Sequence, residues 1–369
     1  MKNILKIARQ FKIENGIDQI KVIETGNIND TYLVTSKVKD DPSLILQKIN
    51  QKIFSHPEFI MENIRTLQRN YQKKASHPTT FNFNKWDFPK IVQTKTGKDC
   101  LIDENGFFWR ALTYIPNSYS VDIIANLSQA KEIGHILGLF HHCFGEIDPN
   151  TLKDTLPNFH NTPYYLDRYE SIVKNTESTT NEDLDECSRF VEKRRKQVNI
   201  LENAKNQQKI KTRVIHGDPK ISNILFDTQT HQAISIIDLD TVKAGLIQYD
   251  IGDCLRSSCN PLGEETDALE DVQFDMNIFE AVLSGYLPAV EEILEKNDYL
   301  YIFDSVWLMT FELGLRFLTD FLQGDIYFKT VKKEQNLLRA KVQFKLTKSI
   351  EEKEKEMKDF INKFRSAIC

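Results

Sequence analysis

From Arg213 to Asp240 the chain alternates short apolar runs with polar turns. Val214-Ile215 precedes His216-Gly217-Asp218, and Asn223 stands directly ahead of Ile224-Leu225-Phe226. A polar stretch, Asp227 to His231, leads to a second run, Ala233 to Ile237, which ends in Asp238-Leu239-Asp240. Runs of this length, rich in Ile, Leu, Val and Phe and bounded by turn residues, predict strands joined as a hairpin. Asp218 before that hairpin, Asn223 at its entry and Asp238 at its exit then lie along one edge.

The rest of the chain divides by period. Residues 2–14 place Ile4, Leu5, Ile7, Ala8 and Phe11 on one side of a short amphipathic helix, with Gly16 beyond it. Strands are predicted at 20–24, 31–35, 43–49, 89–94 and 107–115, with a hairpin turn at Asp103 to Gly106 marked by Asn105-Gly106. In the third strand Leu44, Leu46 and Lys48 share one face, and Ile45, Gln47 and Ile49 the other. A helix starts at Pro57, which suits a first-turn position, and 71–84 reads as polar and irregular. After residue 115 helical periodicity dominates, at 128–144, 160–211, 261–295, 304–322 and from 330 to the end. In 128–144, Gly134 and Gly138 would allow close packing against another helix.

A chain of 369 residues exceeds the size at which one core usually stops growing. Strands first and helices after predict an α/β (α+β) protein of two lobes, 1–115 and 116–369. Hydrophobic residues make up 40% and charged residues 27%, with a formal net charge of −5, so no basic excess points to nucleic acid or a membrane. Six scattered cysteines without a C-x-x-C pair suit a reduced, cytoplasmic setting. Neither a signal peptide nor a membrane span is expected. A small-molecule enzyme, monomeric or weakly dimeric, fits this profile.

His216, Asp218 and Asn223 fall on the spacing of the protein kinase catalytic loop, H-R-D-x-x-x-x-N, with Gly217 in place of Arg, and Asp238 stands where the D-F-G Asp would. In such a site Asp218 receives or orients the proton of an attacking hydroxyl. Asn223 and Asp238 hold Mg²⁺ on the phosphates of ATP, a hard cation that takes oxygen ligands, and Asp240 assists in the metal shell. Turn formation would explain any one of these residues; it does not explain all of them in order at these spacings. His216 is expected to be a structural hydrogen-bonding residue. His135, His141 and His142 are read as core or surface histidines, because Gly145 ends the helix before Glu146. Lys193 to Lys196 reads as a solvated helix face.

H-G-D-x-x-x-x-N followed by I-D-L-D resembles the aminoglycoside phosphotransferase and choline kinase branch of the kinase-like fold. Within it, GNINDTYLV at 26–34, ILQKIN at 45–50, HGDPKISNILFD at 216–227, IDLDTVKAGLIQYDIGD at 237–253 and ELGLRFLTDFLQGDIYF at 312–328 are similar to the N-acetylhexosamine 1-kinases. The resemblance implies a two-lobe protein kinase-like fold, with a small antiparallel-sheet N-lobe and a mainly helical C-lobe. It implies a nucleotide-covering loop in which Asn27, Asn29 and Thr31 lie near ATP and sugar, Asn27 standing where those kinases have His. Lys48 would reach the nucleotide phosphates with Glu62 as its partner, and backbone groups from Thr113 to Ile115 would bind adenine. Arg316 would hold the hexose, unless it pairs with Glu312 one turn earlier. Ser257 stands where a Phe lines the sugar pocket in those kinases. Asp250 and Asp253 are expected to cap helices and hold the catalytic loop. The implied reaction transfers the ATP γ-phosphate to the anomeric hydroxyl of an N-acetylhexosamine. An amino-alcohol or aminoglycoside kinase, a kinase of another sugar, and a nucleotide-binding pseudokinase remain as alternatives.

Overall fold

The computed structural model describes residues 2–23, 28–38, 41–75, 86–175, 182–367. A helix α1 (Lys2–Ala8) leads into strands β1 (Ile17–Ile23), β2 (Asp30–Ser36) and β3 (Leu44–Lys48), then a long helix α2 (Pro57–Ala75), then β4 (Cys100–Ile102) and β5 (Phe108–Thr113). These strands form one antiparallel sheet in the order β1-β2-β3-β5-β4. After a two-residue strand β6 (Ser118–Tyr119) come α3 (Leu127–Phe144), α4 (Thr162–Asn175), α5 (Glu182–Arg194) and α6 (Ile200–Asn206). The central stretch supplies β7 (Thr212–Ile215), β8 (Ile224–Asp227), β9 (Ala233–Ile236) and β10 (Lys243–Leu246). Helices α7 (Ile247–Ser258), α8 (Met276–Ala289), α9 (Lys296–Leu300), α10 (Ile302–Leu322), α11 (Gln335–Glu352) and α12 (Glu354–Ala367) complete the chain. The result is the expected small antiparallel N-lobe and helical C-lobe. Among the described residues, no helix is long and apolar enough to cross a membrane.

Several expectations are corrected. The first helix stops at Ala8, and the chain turns so that buried Phe11 bridges to Thr94. No regular strand forms at 89–94. Pro89 has no N–H to give, only single bridges form there, and the neighbour of β5 is instead β4. The irregular 71–84 stretch is helical as far as Ala75. No continuous helix spans 261–295. Pro261 and Gly263, the latter at φ 70°, break the chain, and α8 begins only where Asp275 accepts the Ile278 N–H at 3.0 Å. The predicted hairpin is β8–β9, its turn held by Asp227 accepting from Gln229 and Thr230 N–H groups. β7 lies outside it and pairs with β10, a strand the pattern did not suggest.

Among the described residues two apolar cores result. A small one on the outer face of the sheet joins Ile7, Phe11, Val34, Leu44, Leu46 and Trp109. The large one fills the C-lobe and takes in the Ile60, Ile64 and Leu67 face of α2. Asn63 ties the same helix to the C-lobe. Its Nδ2 donates to the Lys153 and Val242 carbonyls, both at 2.8 Å, and its Oδ1 accepts from Lys153 N–H.

The glycines of α3 act as the spacing suggested. A Cβ on Gly134 would sit 1.8 Å from the Val282 carbonyl oxygen of α8, and one on Gly285 of α8 would sit 2.0 Å from the Lys131 carbonyl oxygen of α3. The two backbones are in direct contact. Gly134→Ala is therefore expected to cost about 1–3 kcal/mol or more through overpacking, seen as a lower urea midpoint with an unchanged slope. A midpoint equal to wild type would contradict this packing.

Candidate active site

β7 delivers the chain to His216-Gly217-Asp218, where no ladder partner exists for the backbone. The exposed N–H groups are taken by one buried carboxylate: Asp250 of α7 accepts from His216 N–H at 2.6 Å and Gly217 N–H at 2.8 Å. Gly217 is required here on two counts. Its φ is 87°, and a Cβ would lie 2.6 Å from the Thr241 carbonyl oxygen. His216 donates from Nε2 to the Ile237 carbonyl (3.0 Å), and its Nδ1 accepts the Asp218 N–H (3.3 Å). Burial lowers its pKa, so the ring is neutral and structural, as expected.

Asp218 accepts from Lys220 Nζ at 2.8 Å and from Asn223 Nδ2 at 3.1 Å. Asn223 Nδ2 also donates to the Asp218 carbonyl at 2.8 Å, and Asn223 Oδ1 has no partner among the described residues. Asp238 follows β9 in a left-handed conformation, φ 67° and ψ 57°, and its side chain caps no helix and has no hydrogen-bond partner among the described residues. It sits on the cleft floor, walled by protein but open to the cleft. Desolvation first, then the nearby Asp240 and Asp218, push its carboxyl up to about 7. Two unpartnered oxygen-bearing groups in a crowd of negative charge suit a hard cation that keeps waters and takes nucleotide phosphates as its other ligands. Among the described residues no closed cage of three His, Cys, Asp or Glu side chains exists, so Mg²⁺ fits and a protein-enclosed metal does not.

Asp240 departs from its expected place in the metal shell. One carboxylate oxygen accepts from Asn29 Nδ2 at 2.7 Å, and the other is bound by the Arg110 guanidinium. Arg110, on β5, is also held by Gln47 Oε1 at 2.8 and 3.0 Å. Both Asp240 oxygens thus face the N-lobe. Lys48 and Glu62 are likewise corrected. Cross-strand register puts Gln47 and Arg110 on the cleft face and Lys48 on the opposite one, with Leu44, Leu46 and Trp109. There Lys48 lies 3.7 Å from Asp30 and over the Phe107 ring, and Glu62 is exposed on α2 with no ion pair among the described residues. The cation that reaches the cleft from the sheet is Arg110. The alternation of β3 set Lys48 apart from Ile45, Gln47 and Ile49, but it did not name Arg110, which the pairing of β3 with β5 brings beside Gln47.

Thr31 lies on the cleft face, its hydroxyl accepting from Gln47 Nε2 at 3.2 Å. Asn27 falls outside the described residues. Between the lobes, Thr113 N–H is committed to the Lys90 carbonyl at 2.8 Å, whereas Ile115 N–H has no partner among the described residues. Of the two, only the Ile115 N–H is left to face a base.

A cavity lined by Asn29, Asp218, Asp238, Asp253, Arg256 and Arg316 opens beside the catalytic loop. Glu312 does not pair with Arg316. Its oxygens meet His160 Nδ1 at 3.2 Å and Thr162 Oγ1 at 2.7 Å. The Arg316 guanidinium lies among four rings, 5.0 Å from Phe159, 5.1 Å from Tyr165, 5.7 Å from Tyr327 and 5.5 Å from Phe328. It makes no hydrogen bond or ion pair within the described residues. Ser257 turns away from this space: its Oγ accepts the Ile221 N–H at 3.2 Å and donates to the Cys254 carbonyl at 3.1 Å.

A family model described as the phosphotransferase enzyme family matches residues 19–275, more than half of the chain. The chain belongs to this phosphotransferase family. The match includes the catalytic loop, Asp238, Asp250 and Asp253 and ends before α10, so Arg316 lies outside it. Solved structures show the same fold. The microcompartment-associated aminopropanol kinase superposes with a TM-score of 0.63 at 14% identity, covering 96% of this chain and 98% of that one. An aminoglycoside phosphotransferase from Alicyclobacillus acidocaldarius gives 0.58 at 12% identity, covering 98% and 95%. A choline kinase from Cryptosporidium parvum gives 0.59 at 14% identity, covering 97% and 96%.

The two sheet cations make different predictions for this phosphotransferase. Arg110→Met leaves Asp240 buried without its cation and is expected to cost about 3–5 kcal/mol. Lys48→Met removes a partly exposed pair worth at most about 1 kcal/mol. Urea unfolding of both variants checks the contrast, and equal losses would contradict the buried Arg110–Asp240 pair as the stronger of the two.

Proposed function

We propose that this phosphotransferase moves the ATP γ-phosphate to a hydroxyl of a neutral sugar, with the anomeric hydroxyl of an N-acetylhexosamine as the leading acceptor. The observation that carries this reading is Arg316. Its guanidinium has no ion-pair partner among the described residues, is ringed by Phe159, Tyr165, Tyr327 and Phe328, and lines the same cavity as Asp218. A guanidinium offers N–H donors and no acceptor, which suits the hydroxyl and acyl oxygens of a sugar, while the rings offer apolar faces to its C–H groups.

Charge in the cavity supports the same choice. Asp218 has Lys220 beside it, Asp253 and Glu264 share Arg256, Glu265 has Arg339, and Asp240 has Arg110. Asp238 aside, each of these acids has a cation beside it, Asp253 and Glu264 sharing one, and Arg316 has no acid partner among the described residues. An ammonium acceptor would meet like charge there. One detail favours the second reading, an amino-alcohol acceptor: Asp253 Oδ2 is buried without a hydrogen-bond partner among the described residues.

In the proposed reaction the sugar hydroxyl oxygen attacks the γ-phosphorus, the bond to the β-phosphate oxygen breaks, and ADP leaves. Asp218 orients the hydroxyl and receives its proton. Lys220, whose pKa is raised by Asp218 and Asp238 against the opposing effect of burial, stays charged beside the transferring group. Asn223 Oδ1 and the Asp238 carboxylate would hold Mg²⁺, which supplies positive charge to the phosphates. Asp238 would be ionised on binding it. The Ile115 N–H would face adenine, and Asn29 and Thr31 would border the nucleotide.

Asp218→Asn is expected to lower turnover by about 10²–10⁴-fold with the unfolding midpoint retained. Undiminished turnover in a folded variant would remove Asp218 from the chemistry. The acceptor is tested by ADP release with ATP and Mg²⁺ against free sugars, choline, ethanolamine and aminoglycosides, with the product position read by phosphorus NMR. A sugar 1-phosphate is expected, and Arg316→Met should raise the sugar KM about tenfold or more, the loss of one charged hydrogen bond, at constant KM for ATP. Turnover confined to amines would reject the sugar acceptor.

A further inference from the structure

His160 lies between the catalytic loop and α10 and is 5% exposed. Its Nε2 is 2.6 Å from the Gly217 carbonyl oxygen, and its Nδ1 is 3.2 Å from Glu312 Oε1. A carbonyl oxygen and a carboxylate oxygen both accept and neither donates. A neutral imidazole has one N–H and would aim a lone pair at one of the two. An imidazolium satisfies both. The second Glu312 oxygen is already an acceptor, taking the Thr162 hydroxyl at 2.7 Å. The ring packs between Phe159 and Tyr249, with centroids at 3.9 and 5.4 Å. Its backbone has φ 65°, a left-handed conformation rare for a non-glycine residue and kept only where the surroundings impose it.

We propose that His160 is a positioning residue which, as an imidazolium, ties the Gly217 carbonyl to Glu312 and so fixes Asp218 relative to Arg316, one turn further along α10. Gly217 immediately precedes Asp218, and Glu312 lies four residues before Arg316, so the tie joins the proton acceptor to the group facing the sugar. The charged and titratable groups around it are Glu312 and Arg316 from α10, Asp253 and Tyr249 from α7, and Asp218 beside the bonded carbonyl. Burial opposes the charge on the ring. The hydrogen bond and charge of Glu312, the charge of Asp253 and the Gly217 carbonyl outweigh it, so the pKa is raised above the ordinary histidine value. With a raised folded-state pKa, the stabilisation is complete below the ordinary value and is lost as pH rises through the raised one. Phosphoryl transfer should follow it down. The inference rests on Asp218 as the proton acceptor but not on the identity of the sugar.

The test uses the full chain labelled with ¹⁵N-histidine, with His160→Gln to assign its resonances. At neutral pH both His160 ring nitrogens are expected to resonate as protonated, while His216 shows one bare nitrogen. A bare Nδ1 on His160 would overturn the proposal directly, whatever the acceptor proves to be. The second readout is kcat against pH for the best acceptor of the panel, with ADP release to water in parallel. Wild type should lose about tenfold per pH unit above the raised pKa. Glu312→Gln should move that limb to lower pH without changing the KM for ATP, and Glu312→Asp, which keeps the charge, should restore it in part. A limb that stays in place in a folded Glu312→Gln protein would leave His160 a packing residue only. Failure of Asp218→Asn to slow turnover would strike the reading of the base and leave the nitrogen resonances of His160 to decide this tie.

Discussion

The carboxylate of Asp250 is the point on which the catalytic loop hangs. It is fully buried and accepts from His216 N–H, Gly217 N–H and His141 Nε2 at 2.6, 2.8 and 2.9 Å. Between β7 and Asn223 the backbone has no sheet partner, so without this acceptor two amides would be buried and unsatisfied, at about 1–3 kcal/mol each. His141 is in turn fixed by the Tyr286 hydroxyl at 2.8 Å. His141 and Tyr286 meet because α3 and α8 touch at Gly134 and Gly285. Helix packing far from the cleft therefore sets the loop that presents Asp218.

The lobes are joined by a second set of buried contacts. Arg110 reaches Asp240 from the sheet and Asn29 from just ahead of β2, and Asn63 pins α2 to the backbone at Lys153 and Val242. Desolvation offsets much of what a buried ion pair gains, so its value lies in geometry more than in net stability. Here the geometry holds the sheet over Asp238 with Gln47 and Arg110 facing inward. A salt bridge from α2 to β3 is not needed for that, because Asn63 anchors the helix through hydrogen bonds.

Function follows from which charges these contacts use up. Lys220, Arg256, Arg339 and Arg110 are each spent on an acid, and Asp238 and Arg316, which line the same cavity, have no ion-pair partner among the described residues. The Asp238 carboxylate suits a hard cation. Arg316 and its rings suit a ligand that accepts hydrogen bonds and presents apolar C–H faces. His160 bonds both the Gly217 carbonyl beside Asp218 and Glu312 on the helix that carries Arg316.

The sequence by itself determined the local features of this protein. The spacing of His216, Asp218, Asn223 and Asp238, the β8–β9 hairpin, the start of α2 at Pro57 and the glycine face of α3 are set by neighbours a few residues apart, where period and turn chemistry can be read. It also marked Asp250 and Arg316. Tertiary structure alone decided which cation faces the cleft, what Asp240 binds, and that Glu312 belongs to His160. Those pairings join residues as distant as Asn29 and Asp240 or His160 and Glu312. A strand twist or a helix rotation of one position reassigns them, as the exchange of Lys48 for Arg110 shows. Hydrogen-bonding groups are matched by proximity in the folded chain, and no periodicity along the sequence records that proximity.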